Sequence, residues 1–567
     1  MHRKLTLAFL LLSTLAFTQT PAGTVNVLTR QNDNQHTSQN LQETILTPTN
    51  VNSGSFGKVF SYPVDGQIYA EPLYVHGLTM ATGGVHNVVF VATEYDSVYA
   101  FDADSAALNP NPLWHVNFLN PPSVAPVPCA QGAGICQLFP VVGITSTPVI
   151  NLATNTIYVV VRTQETSGTT VNWVVRLHAL DITSGAEKTG SPATICSATG
   201  NGGCFLAGDT VQFGPHHQQS RPGLLLVPET GFSQGVLFIG FSGDSGWVLA
   251  FDPTSLTQLA AFYTDDEKSH STGSRAPGVP PPPGIPGEGH AGIWGAGGAV
   301  VADTSGNVYA ITGDGFWDGI KNWGDSLVKL VLTKNVSTGT YTLVPTDYFT
   351  TSDQSCRDAH GLDYGSDGPL ILPPQSGSTP NLIFTTGKQA SVCETSFAGY
   401  VINMNNMGHT GGQVSQMTLP DGGGEQAAAY WSNGTTQFIY NGGDGDNLRA
   451  FTVSSSGVST NSVMASSVFF EEGTAPVVSA NGTTNGIVWA QEYLDDPDHL
   501  PAFSPAVLHA FNATTLVELY NSTQAANARD AGGPPTKFQV PMVANGKVYL
   551  GTSTELDVYG LCPCGGK

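Results

Sequence analysis

Short β-rich runs of hydrophobic residues recur along the chain, and each closes on a similar phrase. The clearest are Val98-Tyr-Ala-Phe-Asp102, Leu177-His-Ala-Leu-Asp181, Val248-Leu-Ala-Phe-Asp252 and Leu508-His-Ala-Phe-Asn512. Weaker copies are Leu327-Val-Lys-Leu-Val331, Gly399-Tyr-Val-Ile-Asn403, Asn447-Leu-Arg-Ala-Phe451 and Leu556-Asp-Val-Tyr-Gly560. From Phe101 to Phe511 the copies fall about 68 residues apart on average. Upstream of a phrase lies another strand, such as Val88-Val-Phe-Val-Ala92 or Lys547-Val-Tyr-Leu-Gly551, with turn residues such as Tyr95-Asp96 and Asp446-Asn447 in between.

Several short strands per unit, without long helical periodicity, predict an all-β fold of radially repeated sheets. A small twisted sheet cannot bury both faces alone, and stacking like units around an axis does so while leaving only short edges. Eight phrases predict an eight-bladed β-propeller. The last copy lacks an outer strand before the C-terminus, and Lys58-Val-Phe-Ser-Tyr-Pro-Val64 precedes the first unit without a partner. The N-terminal strand is therefore expected to complete the C-terminal blade. A tandem of β-sandwiches leaves both strands unexplained.

Composition narrows the partners. The 567 residues carry 43 acidic and 20 basic side chains, a formal charge of −23. Such a surface repels phosphate backbones and anionic headgroups, which excludes nucleic acid and the membrane surface as partners. With 40% hydrophobic and 9% aromatic residues the chain can bury a large core, so disorder is excluded too. His2, Arg3 and Lys4 before the apolar run Leu5 to Phe17 read as a signal peptide over residues 1–22, too short to span a bilayer. No Cys lies near the junction, so a lipid anchor is not expected. The mature chain, 23–567, is expected to be a single propeller domain, secreted or periplasmic, without membrane insertion. A stiff Pro-rich insertion occupies 277–289. Eight cysteines in an exported protein read as disulfides, and proximity suggests Cys129–Cys136, Cys196–Cys204 and Cys356–Cys393. Cys562 and Cys564 flank one proline, a spacing too tight for an easy bridge.

The unit resembles the pyrroloquinoline quinone (PQQ) repeat of the quinoprotein alcohol dehydrogenase-like superfamily. Lys58 to Gly66, Asn87 to Thr93, Arg221 to Leu226 and Phe538 to Thr552 resemble exported bacterial propellers of that kind. Resemblance implies PQQ and Ca²⁺ on the propeller axis, with adjacent blades locked by the pattern A-x-D-x-x-x-G-x-x-x-W. Ala179, Asp181 and Gly185 keep that pattern, but Thr189 stands where Trp belongs. The adjacent Cys-Cys pair of many such enzymes and a haem-binding C-x-x-C-H are both missing from the sequence.

A tricarboxylate cofactor must be met by cations or a metal. Candidates to face the axis and hold it are Arg221, Lys388 and Arg529, with Lys537 beside the last blade; pairing with a neighbouring blade's carboxylate is the competing role. Trp294, in a glycine-rich stretch, could stack a flat ligand or simply pack between blades. Among carboxylate clusters, Asp358, His360, Asp363 and Asp367 form one in which Asp363 and Asp367 flank the start of an inner strand near the axis. Asp363 is the candidate general base, and Asp363 with Asp367 the candidate Ca²⁺ ligands. Asp314 with Asp318, Asn441 with Asp444 and Asp446, and Asp495 to His499 form other clusters, none completing an EF-hand. His216 and His217 could line a rim. Gly243-Asp-Ser-Gly246 and Ser326-Leu-Val-Lys329 imitate hydrolase motifs, but they fall on a hairpin turn and a strand. Two functions remain: a non-catalytic binding or scaffold module for a protein, glycan or small ligand, or a PQQ- or metal-dependent oxidoreductase of alcohols or sugars.

Overall fold

The computed structural model describes residues 25–105, 111–129, 138, 140–200, 202–206, 211–243, 245–265, 291–295, 297–388, 391–393, 397–419, 423–424, 426–471, 473–493 and 504–563. The expected signal peptide, the 277–289 insertion, Cys136, Cys564 and the acidic run at 495–499 lie outside them. Among the described residues the chain forms eight sheets of four or more strands and one two-stranded ribbon, with a single α-helix, α1 (Gln354–His360).

Seven sheets are built on antiparallel meanders in chain order, with Gln39–Asn40 added parallel to Val477–Asn481 and His409–Thr410 parallel to Tyr341–Thr350. The innermost strands of the first to seventh are Leu73–Thr79, Val149–Asn151, Leu225–Glu229, Val301–Ala302, Leu370–Ile371, Ala429–Ser432 and Val477–Asn481. The eighth sheet contains Met542–Ala544, Lys547–Gly551 and Glu555–Leu561. Its fourth strand is Phe56–Pro63, which runs antiparallel to Glu555–Leu561 with Tyr62 opposite Leu556. The strand expected from the sequence thus joins the sheet that lacked one. Middle strands are buried along most of their length, as in Val85–Ala92, because both faces are covered by neighbouring sheets. Outermost strands such as Met464–Phe470 alternate buried and exposed positions, as an edge half-open to water requires.

The core lies between sheets. Tyr158 and Leu177 of the second sheet pack with Leu237 and Trp247 of the third, and Trp431 of the sixth packs with Val488 and Phe511 of the seventh. Trp489 of the seventh packs with Val548 and Tyr559 of the eighth, whose other face, through Tyr549 and Val558, meets Phe90 and Phe101 of the first. Burying each such side chain contributes about 2–3 kcal/mol, so the stack of faces carries the stability.

Residues 27–40 form a belt that the repeat pattern does not foreshadow. Val27 bridges Tyr74 of the first sheet, and Ile150 of the second donates to the Leu28 carbonyl (2.8 Å). Asn34 donates to Leu226 of the third (2.8 Å), while Ala302 of the fourth and Ile371 of the fifth donate to Asn34 and Gln35. Tyr430 of the sixth and Val478 of the seventh donate to Thr37 and Ser38, and Asn40 donates to Val543 of the eighth (3.0 Å). The inner edges of eight sheets therefore meet one short segment in chain order. Within it Arg30 donates to Thr147 Oγ1 (2.7 Å) and the Phe538 carbonyl (3.1 Å), and the Gln31 N–H donates to Glu71 (2.7 Å). Burial lowers Arg30 to about 10 and raises Glu71 to about 7, each opposed by the other's charge.

Two disulfides match the expectation, Cys196–Cys204 and Cys356–Cys393. Cys129 is disulfide-bonded as well, and so is Cys562, where the tight Cys-Pro-Cys spacing had argued against an easy bridge.

Candidate functional site

In a meander, the loop before the first strand and the turn between the second and third open at the same end. Arg221, Trp294, Asp363, Gln426 and Phe538 each lie within seven residues before an innermost strand. Asp314, Lys388 and Asp444 follow second strands. These loops converge on one mouth above the belt. The Arg221 guanidinium lies 4.9 Å from the Trp294 ring centroid and 5.8 Å from that of Phe538, joining the third, fourth and eighth sheets. A Cβ on Gly297 would stand 3.3 Å from Gln426 Oε1, and one on Gly473 would stand 3.2 Å from the Asp444 nitrogen, so the fourth, sixth and seventh meet here too.

The polar centre is built by Asp314, Asp363 and Lys388. Lys388 Nζ is 2.8 Å from Asp363 Oδ2, and the Asp314 N–H donates to Asp363 Oδ1 (3.0 Å). Gly313 makes this possible: a Cβ there would fall 2.3 Å from Asp363 Oδ1 and 2.7 Å from Trp294 Nε1. Burial works to raise Asp363, but Lys388 and the hydrogen bonds from Asp314 outweigh it and hold the carboxyl below the usual carboxylate range. Burial raises Asp314 well above that range, and the adjacent Asp363 charge adds to it. The two carboxyls are thus pushed in opposite directions, Asp314 toward its protonated form and Asp363 toward its ionised form, beside the Lys388 ammonium group. The Trp294 indole N–H is buried with no hydrogen-bond partner. Asp444, near Lys537, Glu471 and Lys388, is raised mainly by burial.

Helix α1 holds the centre together. Its Arg357 donates to the Lys388 carbonyl (2.9 Å), Cys356 is bonded to Cys393, and Gln354 donates to the Gly315 carbonyl (2.7 Å). The helix ends at Gly361, in the left-handed conformation, two residues before Asp363.

Of the residues singled out from sequence, the fold brings Arg221, Trp294, Asp363 and Lys388 to this mouth. Arg529 does not join them: it forms a forked ion pair with Asp530 (2.6 Å) and reaches the Ser53 and Phe56 carbonyls beside the N-terminal strand. Asp367 lies four residues after Asp363. It is fully buried, one oxygen accepts from Thr386, and the other has no partner. The remaining clusters separate: Asp318 caps its own turn, accepting the N–H groups of Ile320, Lys321 and Asn322, and Asp446 binds Arg449. Among the described residues, the one group of three His, Cys or acidic side chains with ligand atoms close together is Cys356, His360 and Cys393, whose cysteines are disulfide-bonded. Asp314 and Phe538 were not recognisable as partners of Asp363 and Arg221. The missed signal was position, a few residues before a first strand or after a second.

The donor set does not fit PQQ. A flat tricarboxylate needs an open aromatic face and cations free to meet it. Arg221 covers one face of Trp294, Lys388 is committed to Asp363, and Asp314, Asp363 and Asp444 bring acidic groups to the same space. Nor do Asp363 and Asp367 supply a Ca²⁺ cage of six to eight oxygens.

The repeated sheets around the belt define a β-propeller. No protein-family model matches the sequence, and no curated protein matches it. Among solved structures the chain is similar to the quinohemoprotein alcohol dehydrogenase ADHIIG from Pseudomonas putida HK5, at 14% identity over 96% of this chain and 80% of that one, TM-score 0.56. It is similar to the quinohemoprotein alcohol dehydrogenase from Comamonas testosteroni (13% identity, 96% and 81% covered, TM-score 0.57) and to a europium-containing methanol dehydrogenase (12%, 95% and 98%, TM-score 0.58). At these identities the likeness is one of fold. No helix among the described residues is long and apolar enough to cross a membrane.

Proposed function

We propose that this chain is an exported, non-catalytic eight-bladed β-propeller, its ring completed by Phe56–Pro63, that binds a small polyhydroxylated ligand in the axial mouth. Residues 1–22 act as its cleaved signal peptide, in keeping with the disulfides. The observation that carries the binding reading is the Asp314–Asp363–Lys388 group beside the unpartnered Trp294 N–H. Hydroxyl groups both donate and accept, and this mouth offers carboxyl oxygens to accept, plus an ammonium and an indole N–H to donate. An alcohol or sugar quinoprotein would need an open aromatic floor and uncommitted cations, which Arg221 and Lys388 do not leave.

Calorimetric titration of the purified mature protein with methyl glycosides, and separately with PQQ plus Ca²⁺, tests the reading. Glycoside binding that weakens by about tenfold or more in Asp363→Asn, the loss of one hydrogen bond to a charged group, supports it. Tight PQQ binding with dye-coupled alcohol oxidation overturns it in favour of the dehydrogenase.

A further inference from the structure

At the end of the fold away from the mouth, the fourth and fifth sheets and the belt bound a cavity of 380 Å³. In a meander the turn between the first and second strands lies at that end, and the segments around Asp303 and around Pro373 are such turns. One wall is apolar, built by Ile371, Leu372, Pro373, Pro374 and Met404. Two lining residues are charged, Asp303 and Lys329. Asp303 is satisfied by its own surroundings. One of its oxygens accepts the N–H groups of Ser305 (2.9 Å) and Asn307 (3.0 Å), and the other accepts the Asn307 side-chain amide (2.7 Å) and the Tyr309 hydroxyl (3.0 Å). Lys329 differs. Lys58, Lys188, Lys388 and Lys547 each hold a carboxylate at 2.5 to 2.8 Å, but among the described residues no carboxylate pairs with Lys329. Its half-buried ammonium group donates to the Met404 carbonyl (3.3 Å) and lies 5.7 Å from the Tyr309 ring centroid. Asp347 stands opposite it in the strand pairing, yet the Asp347 oxygens accept the Tyr348 and Met407 N–H groups instead. An ammonium group has three donors, so Lys329 keeps donors for a molecule in the cavity. In a chain of charge −23, a lysine held clear of every carboxylate beside an apolar wall is not what packing alone calls for.

We infer that this cavity is a second binding site, for a small organic monocarboxylate whose carboxylate meets Lys329 and whose apolar body lies against Leu372, Pro373 and Met404. The site is independent of the mouth and of the ligand proposed for it. Small-molecule sites are mostly apolar with a few placed polar groups and run from about 300 to 1,000 Å³. This cavity is at the small end of that range, which suits a body of one ring or a short chain. One available cation beside the fixed charge of Asp303 favours a single negative charge on the ligand over two or three. The half-buried position of Lys329 keeps its pull on a carboxylate from being screened as fully as at an open surface.

Calorimetric titration with benzoate, phenylacetate and hexanoate, each beside its amide (benzamide, phenylacetamide and hexanamide), tests the inference. Acid and amide share a shape and differ in charge. The expected result is an acid bound at least about tenfold tighter than its amide, as a hydrogen bond to a charged group would give. In Lys329→Met, which keeps the apolar stem, that preference disappears. Thermal unfolding checks that the variant is folded. Ser305→Trp is the second variant: Ser305 is an exposed turn residue that lines the cavity, and the indole should fill the space and abolish acid binding. Acid and amide bound alike, no acid bound, or a preference that survives both variants overturns the inference. A preference lost in Lys388→Met and kept in Lys329→Met assigns the anion to the mouth and overturns it as well.

Discussion

Replacing Lys388 with Met isolates the ion pair at the heart of the mouth. Its Nζ lies 2.8 Å from Asp363 Oδ2, and the two side chains are 32% and 13% exposed. Breaking a fully buried pair costs about 3–5 kcal/mol and an exposed one about 0–1, so a pair of this exposure is worth about 1.5 kcal/mol. A double-mutant cycle with Lys388→Met, Asp363→Asn and the combination separates the pair from the loss of each side chain's packing. The pH dependence carries its own sign. Asp363 is held below its ordinary value in the folded state, so its contribution is present above the unfolded carboxylate pKa of about 3.9 and fades as pH falls through the folded value. Urea unfolding at pH 7 is expected to return a coupling of about 1.5 kcal/mol that shrinks as pH is lowered below about 3.9. A coupling under about 0.3 kcal/mol at pH 7, the level at which unconnected sites add, or one indifferent to acid, would show that Lys388 does not hold the Asp363 charge.

Three further outcomes follow from particular contacts. His509, buried between Glu492 (2.9 Å) and Glu518 (2.7 Å), is discharged by burial but more strongly charged by the two glutamates, so its pKa is raised; stability from it is full below about pH 6.5 and lost as pH rises through the raised value, and His509→Gln should lose about 2 kcal/mol at pH 6 and less at pH 9 by denaturant titration. The Cys356–Cys393 bond closes a 37-residue interval; Cys356→Ser/Cys393→Ser should lose about 4 kcal/mol in the same assay and weaken ligand binding, because the loop bearing Lys388 loses its tie to α1. Arg30→Ala leaves Glu71, already raised to about 7, without its cation; the loss of about 3–5 kcal/mol at pH 8 should ease at pH 5, where Glu71 takes a proton, and calorimetric melting at the two pH values reads the difference.

The sheets were legible because their signal is local. Each phrase pairs a hydrophobic strand with a turn, and the same phrase explains paired details: His178 and His509 occupy the same position in two copies and meet Glu187 and Glu518 on the following strand or turn. The unpaired strand around Lys58 was legible for the complementary reason, since a strand without a partner at each end of the chain points to one shared sheet. The belt was not legible. Arg30-Gln-Asn-Asp-Asn-Gln-His36 is polar and without period, and reads as a solvated loop. Arg30, Gln31 and His36 are buried and Asn32 to Gln35 half-buried only because eight inner edges surround the segment and supply the hydrogen bonds that water would otherwise give. The site divides along the same line. Arg221, Trp294 and Asp363 were recognisable as chemistry beside an inner strand and Lys388 as the cation of a turn, whereas Asp314 looked like a partner of Asp318. Local spacing favoured that pairing, and tertiary approach through Gly313 replaced it with Asp363. Arg529 failed because its immediate neighbour in sequence, Asp530, captured it.

Belt and mouth are joined by contact rather than by proximity alone. Arg30 donates to the Phe538 carbonyl, the Phe538 ring bears on Arg221, and Arg221 covers Trp294. Each step links a different sheet: the belt to the eighth, the eighth to the third, the third to the fourth. A side chain placed by several sheets at once is held more rigidly than one placed by a single loop, and that rigidity keeps Arg221 on the indole ring. The same path supports the binding reading proposed above. A guanidinium fixed over the aromatic floor and an ammonium fixed on the carboxylate leave a surface of matched donors and acceptors, suited to hydroxyl groups and poorly suited to a flat trianion.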